Sequence, residues 1–145
     1  GFDGRALLAL RAGMVGRETA LRFFGSDRDV GAMAMSRENA ARAGVSQITS
    51  FSEMDVAAMV PPEGPPGLVI ANPPYGTRIG DKRELMALHA GFGKALRSRF
   101  RGWRAAIITT DKALALATGL PFKPPGPPVL HGGLRVMLYQ TGKLP

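Results

Sequence analysis

The tetrapeptide Asn72-Pro73-Pro74-Tyr75 has the makings of a grip for an aromatic amine. The lone pair of such an amine is delocalised into its ring, which makes it a poor nucleophile. Two acceptors aimed at its two hydrogens hold it and favour the more tetrahedral geometry needed for attack on a methyl group. The side-chain oxygen of Asn72 is one such acceptor and the backbone carbonyl of Pro73 the other. Consecutive prolines fix φ and bring no competing N–H, so that carbonyl is held outward. Tyr75 offers a ring on which an extruded base can stack, and Gly76 lets the chain turn away without crowding the pocket. The competing account is a proline turn that closes a strand, as Pro61-Pro62, Pro65-Pro66 and Pro127-Pro128 do elsewhere in the chain. Two things favour a functional role. Average residue usage yields this tetrapeptide in fewer than roughly one chain of this length in a thousand. It also follows the apolar run Leu68 to Ala71, and ligands of open α/β sheets bind outside the carboxyl ends of strands.

Two acids stand at similar places. Asp27 ends the run Arg22 to Ser26, where an acid can accept hydrogen bonds from both hydroxyls of a cofactor ribose. Asp29 competes with it for the commoner role of helix cap. Asp55 follows the next strand and has the chemistry to accept from an adenine amine, with Glu53 as a rival and a solvated loop acid as the plain alternative. Asp27, Asp55 and Asn72 reinforce one another because they fall at three successive strand ends.

The elements that must position these residues alternate. Phe2 to Leu10 reads as a short helix and Glu18 to Arg22 as a second helical stretch. A buried strand over Arg22 to Ser26 precedes a helix from Asp29 to about Ala43, which puts Val30, Met33, Ala34 and Ala41 on one face and stops at Gly44. Gln47 to Phe51 has strand propensity, and Val60 to Gly67, with four prolines, is an irregular connection. Leu68 to Ala71 reads as a central parallel strand buried on both faces. Leu85, Leu88, Phe92, Leu96 and Phe100 recur at helical spacing. Trp103 to Thr110 is a further strand, Lys112 to Thr118 a short helix, and Val129 to Thr141 a hairpin turning at His131-Gly132-Gly133. Strands alternating with helices and finishing in a hairpin predict a doubly wound α/β fold.

Composition bounds the partners. The 145 residues make one domain or part of one, and no apolar run approaches the roughly 20 residues that span a bilayer. Without cysteine there are no disulfides and no thiolate metal site, and no metal is expected; the cytoplasm is the default compartment. A net charge of +8, with 19 basic against 11 acidic residues, favours a polyanionic partner such as nucleic acid. Arg78 and Lys82, just past the tetrapeptide, are well placed to meet phosphates beside an extruded base. Lys94, Arg97, Arg99, Arg101 and Arg104 suit the end of a helix, where cations complement the dipole. His89 and His131 lack an acid or serine at telling spacing and read as structural.

These residues resemble the class I S-adenosylmethionine-dependent methyltransferases that carry an Asn-Pro-Pro-Tyr motif. The branch they are most similar to is the RNA methylases with a THUMP RNA-binding domain, among them the 23S ribosomal RNA guanine-N2 methyltransferases. The resemblance rests on Phe24-Gly25-Ser26-Asp27-Arg28-Asp29, Asn39-Ala40-Ala41-Arg42-Ala43-Gly44 and Ala71-Asn72-Pro73-Pro74-Tyr75-Gly76-Thr77-Arg78-Ile79-Gly80. It extends from about Phe23 to Gln140. It implies a Rossmann-like sheet with a carboxy-terminal hairpin, S-adenosylmethionine as cofactor, Asp27 on its ribose, Asp55 on its adenine, and Asn72 to Tyr75 on the target amine. The target it implies is N2 of guanine in 23S ribosomal RNA. N6 of adenine in DNA or RNA, and guanine N2 in transfer RNA, are the alternatives; a non-catalytic RNA-binding module is a third. The family opens its domain with a strand and a glycine-rich turn that holds the methionine end of the cofactor. No such segment precedes Asp27, so the chain is expected to be an amino-terminally truncated piece, inactive alone, of a protein that also carries a THUMP domain.

Overall fold

The computed structural model describes residues 3–13, 18–74, 82–131 and 133–145. In chain order the elements are α1 (Gly4–Ala12), β1 (Phe23–Asp27), α2 (Val30–Arg42), β2 (Thr49–Glu53), β3 (Leu68–Ala71), α3 (Lys82–Arg99), β4 (Arg104–Thr109), α4 (Lys112–Ala117), β5 (Val129–His131) and β6 (Leu134–Gln140). Single 3₁₀ turns at Ser46–Ile48 and Val56–Ala58 flank β2. The fold is mixed α/β with the expected hairpin at its end.

The strands form two sheets. β1 and β2 are a parallel pair, and the other sheet has the order β3-β4-β6-β5. In it β3 and β4 run parallel, while β6 is antiparallel to both β4 and β5. The β1-α2-β2 unit follows from local signals. Asp29 caps α2 through a bond from the Ala32 amide (3.1 Å), and Gly44 ends it with φ of 69°, a left-handed conformation that a side chain would strain. Met33 and Ala40 are the buried residues of α2, whereas Val30 lies exposed.

The main core lies under the second sheet. The apolar stripe of α3 supplies Leu85, Phe92 and Leu96, and Phe100 follows it. Phe92, Leu96 and Phe100 pack with Ala105 and Ile107 of β4, Tyr139 of β6, and Ala115, Leu120 and Leu144. Gly93 lets α3 and the end of α4 meet, since a Cβ there would come within 1.8 Å of the Thr118 carbonyl oxygen. Val69, Ala71, Ala105 and Ile107 face this core, so the alternate residues point to the opposite face of the sheet. There Leu68, Ile70, Arg104, Ala106, Leu138 and Gln140 line a shallow depression.

Three expectations need correction. Residues 18–22 are not helical; the Thr19 hydroxyl accepts from the Leu21 amide (3.1 Å), a local turn that competes with a helix. The strand expected from Gln47 begins at Thr49, after the first 3₁₀ turn. Neither β1 nor β3 is buried. Phe23 and Phe24 are 52% and 57% exposed, and Leu68 and Ile70 47% and 65%: among the described strands β1 and β3 each pair on one side, and Leu68 and Ile70 also lie on the sheet face away from the core. An apolar run reports the burial a strand can tolerate; what lies over each face and along each edge decides the burial it has.

Candidate active site

Parallel pairing gathers strand ends. Asp27 closes β1 and stands in register with Glu53, which closes β2; Asp55 lies two residues further on. The three carboxylates therefore share one end of the pair, and all are exposed. Their local bonds separate them. Asp29 is the helix cap, and among the described residues the Asp27 carboxylate accepts one bond, from the Asp29 amide to Oδ1 (3.0 Å). The Asp27 carbonyl also accepts from the Met54 amide (2.9 Å), which ties the two strand ends together. Asp55 caps the Val56–Ala58 turn, its Oδ1 accepting from the Ala57 amide (2.8 Å). The Asp27 and Asp55 carboxylates are thus each oriented through one oxygen, with acceptor capacity to spare.

The tetrapeptide begins directly after β3. Asn72 is exposed and Pro73 and Pro74 are half-buried. Ala71 is in register with Ile107, so Asn72 lies beside the carboxyl end of β4. Tyr75 and Arg78 lie outside the described residues. Lys82 opens α3, and its Nζ is 3.6 Å from Oδ2 of Asp111. Asp111 itself caps α4 through the Ala113 amide (2.7 Å), and its own amide donates to Oγ1 of Thr109 (3.2 Å). With the two side chains 73% and 37% exposed, the Lys82–Asp111 pair contributes about 0–1 kcal/mol at most. Asp111 therefore holds Lys82 only weakly.

Asp111 went unnoticed in the sequence, although Asp111 before the apolar helix Lys112–Ala117 is a cap signal. The basic run also contains more than charge. Arg97 donates to the Thr118 carbonyl, and Arg99 donates to the carbonyls of Ala57 and Met59. His89 is buried, and since the Leu85 carbonyl can only accept, its Nδ1 carries the proton of their 2.8 Å bond. Its Nε2 is buried with no hydrogen-bond partner among the described residues. His131 is exposed at the end of β5. Among the described residues no helix is long and apolar enough to cross a membrane.

Residues 5–120 match the sequence profile of the RMKL-like, methyltransferase domain family. The chain belongs to that family. Its match to the ribosomal RNA large subunit methyltransferase K/L of Chromohalobacter salexigens is 38% identical over 112 residues, covering 76% of this chain and 15% of that protein. SMU.472 complexed with SAH superposes with a TM-score of 0.82 at 22% identity, over 99% of this chain and 38% of the other. TrmN from Thermus thermophilus gives a TM-score of 0.67 at 22% identity, over 97% of this chain and 48% of its own. At such identities the two structures establish the methyltransferase fold. This RMKL-like domain chain spans less than half the length of each of these proteins.

Proposed function

We propose that this chain is the base-handling part of an S-adenosylmethionine-dependent enzyme that methylates N2 of guanine in 23S ribosomal RNA. The observation that carries the reading is the placement of Asn72 and Pro73 at the carboxyl end of β3, beside the end of β4. The name of the 38% identical relative supports ribosomal RNA over DNA or transfer RNA as the substrate.

In this reading the Asn72 side-chain oxygen and the Pro73 carbonyl accept from the two amine hydrogens, which holds the nitrogen and biases it toward a nucleophilic geometry. Tyr75 stacks on the extruded base, and Arg78 and Lys82 meet the flanking phosphates. Asp27 and Asp55 suit the adenosine end of the cofactor, because each carboxylate keeps an oxygen free for a hydroxyl or amine donor. When bound, S-adenosylmethionine supplies an electrophilic methyl carbon. The protein's task is positioning and electrostatics, since the amine sheds its proton to solvent during or after attack.

Among the described strands β1 and β3 each have an unpaired edge, and these edges, with their exposed phenylalanines, leucine and isoleucine, support one further strand between them in the full-length protein. That strand would bring the glycine-rich turn for the methionine end. The chain is then one partial catalytic domain, expected to be inactive alone, within a cytoplasmic protein whose THUMP domain adds RNA contacts.

The test incubates the full-length protein with labelled cofactor and unmodified ribosomal RNA, transfer RNA or DNA, beside Asn72→Ala. Label on guanine N2 of ribosomal RNA, lost in the variant, is the expected result. Label on another nucleic acid would move the target, and none on any substrate would overturn the enzyme reading. In calorimetry this chain alone is expected to bind the cofactor weakly or not at all; micromolar affinity would overturn the missing-strand argument.

A further inference from the structure

Arg99 sits in the last turn of α3, where a cation ordinarily serves its own helix dipole. It does something else here. Its Nη1 donates to the carbonyl of Ala57 and to that of Met59, both at 2.9 Å, across 42 and 40 residues of chain. Those carbonyls belong to the end of the turn that Asp55 caps from its other side. The turn also rests on α3, for a Cβ at Gly91 would lie 3.5 Å from the Ala57 methyl. The side chains of Val56 and Met59 reach the core that α3 shares with β4. One guanidinium nitrogen thus fixes the turn after β2 to the helix that follows the Asn72 loop.

We infer that Arg99 is a positioning residue for cofactor binding, setting the Asp55 carboxylate against the frame that carries Asn72. The inference rests on the assignment of Asp55 to the adenine. It predicts that the acid on the β1–β2 side and the amide on the β3 side keep their spacing through this clamp. Arg97 is the internal control: two residues away, it donates to the Thr118 carbonyl at the end of α4 and has no part in the Asp55 turn.

The experiment uses the full-length protein and reads the Kd for S-adenosylmethionine by calorimetry, with kcat and KM for both substrates. Arg99→Met keeps the apolar stem and removes the donors. It is expected to raise Kd and the cofactor KM about fivefold to tenfold, the indirect effect of losing both charge-assisted bonds at an exposed site. kcat at saturating cofactor and KM for RNA should stay within about twofold, as expected when only ground-state binding is lost. Arg99→Lys should restore most of the affinity, because both bonds come from a single nitrogen and an ammonium has three donors. Arg97→Met should leave Kd unchanged. In Asp55→Ala the further effect of Arg99→Met should vanish, the signature of coupled residues.

The outcomes separate the two claims. If Asp55→Ala leaves Kd unchanged, the adenine assignment fails. If Asp55→Ala raises Kd and Arg99→Met does not, or if Arg97→Met raises it as much, the positioning role of Arg99 is overturned and the site stands. If Arg99→Met does not fold, Arg99→Gln replaces it, with a smaller rise in Kd expected and no rise overturning the inference.

Discussion

The β1-α2-β2 unit and the β3-β4-β6 unit carry different parts of one candidate site on very different foundations. The second unit rests on Phe92, Leu96, Phe100 and Ile107, all at most 3% exposed, and it presents Asn72. The first presents Asp27 and Asp55 with Met33 and Ala40 as the buried residues of its helix, while Phe23 and Phe24 stay half in solvent. The residues proposed to grip the base therefore stand on a packed frame, and the acids proposed for the cofactor stand on a thin layer that needs support. The Arg99 clamp and the packing of the Val56–Ala58 turn on α3 give some of it. The difference teaches that the acids and the amide need not be equally rigid, and that local opening is easier in the first unit.

The largest expected effect tests the foundations. Phe100→Ala removes a ring that is 2% exposed and contacts Trp103 edge-on at 5.4 Å, and should cost about 3–5 kcal/mol in urea denaturation. Met33→Ala, in a thinner layer, should cost about 2 kcal/mol, the low end for a buried methionine. Equal costs would erase the contrast between the two units. Ile70→Ala sharpens it from the other side. In this chain Ile70 is 65% exposed, so the change should stay within about 0.5 kcal/mol. In the full-length protein, if another strand covers it, the same change should cost about 2–5 kcal/mol.

The next effects are on function. Asn72→Ala should lower kcat about 10²- to 10³-fold, by analogy with removing one transition-state hydrogen-bonding group, and leave folding intact because the side chain is exposed. Asp27→Asn should act on the other unit alone, raising the Kd for the cofactor about tenfold with little change in kcat at saturation, measured by calorimetry and initial rates. A drop in kcat of the Asn72→Ala kind from Asp27→Asn would merge the two roles.

Much of this was legible in the sequence for local reasons. The Asp29 cap, Gly44, the stripe on α3 and the hairpin are set by neighbours within a few residues, and the structure follows them. The tetrapeptide was legible because its residue types and the apolar run before it are local too. What escaped were features that depend on distant partners. Nothing near Arg99 signals that it bonds to carbonyls 40 residues away. The exposure of β1 and β3 was equally hidden, since Phe23-Phe24 and Leu68 to Ala71 spell buried strands and only the pairing of whole strands reveals their open edges. Glu18 to Arg22 failed for a smaller reason, a Thr19 hydroxyl bonded to Leu21 in place of a helical turn.

The smallest effect concerns the ion pair at the start of α3. If Lys82 is a phosphate contact, Lys82→Gln should weaken RNA binding uniformly across sequences and make the salt slope shallower by roughly 0.7 to 0.9, the share of one phosphate. Asp111→Asn is the matching change, because asparagine caps a helix as well as aspartate does while releasing Lys82 from its 3.6 Å partner. It should leave stability unchanged and strengthen RNA binding slightly at low salt. If Lys82 serves only to pair with Asp111, both variants will leave RNA affinity and its salt dependence untouched. The β3 side would then contribute its amine grip without an electrostatic anchor of its own.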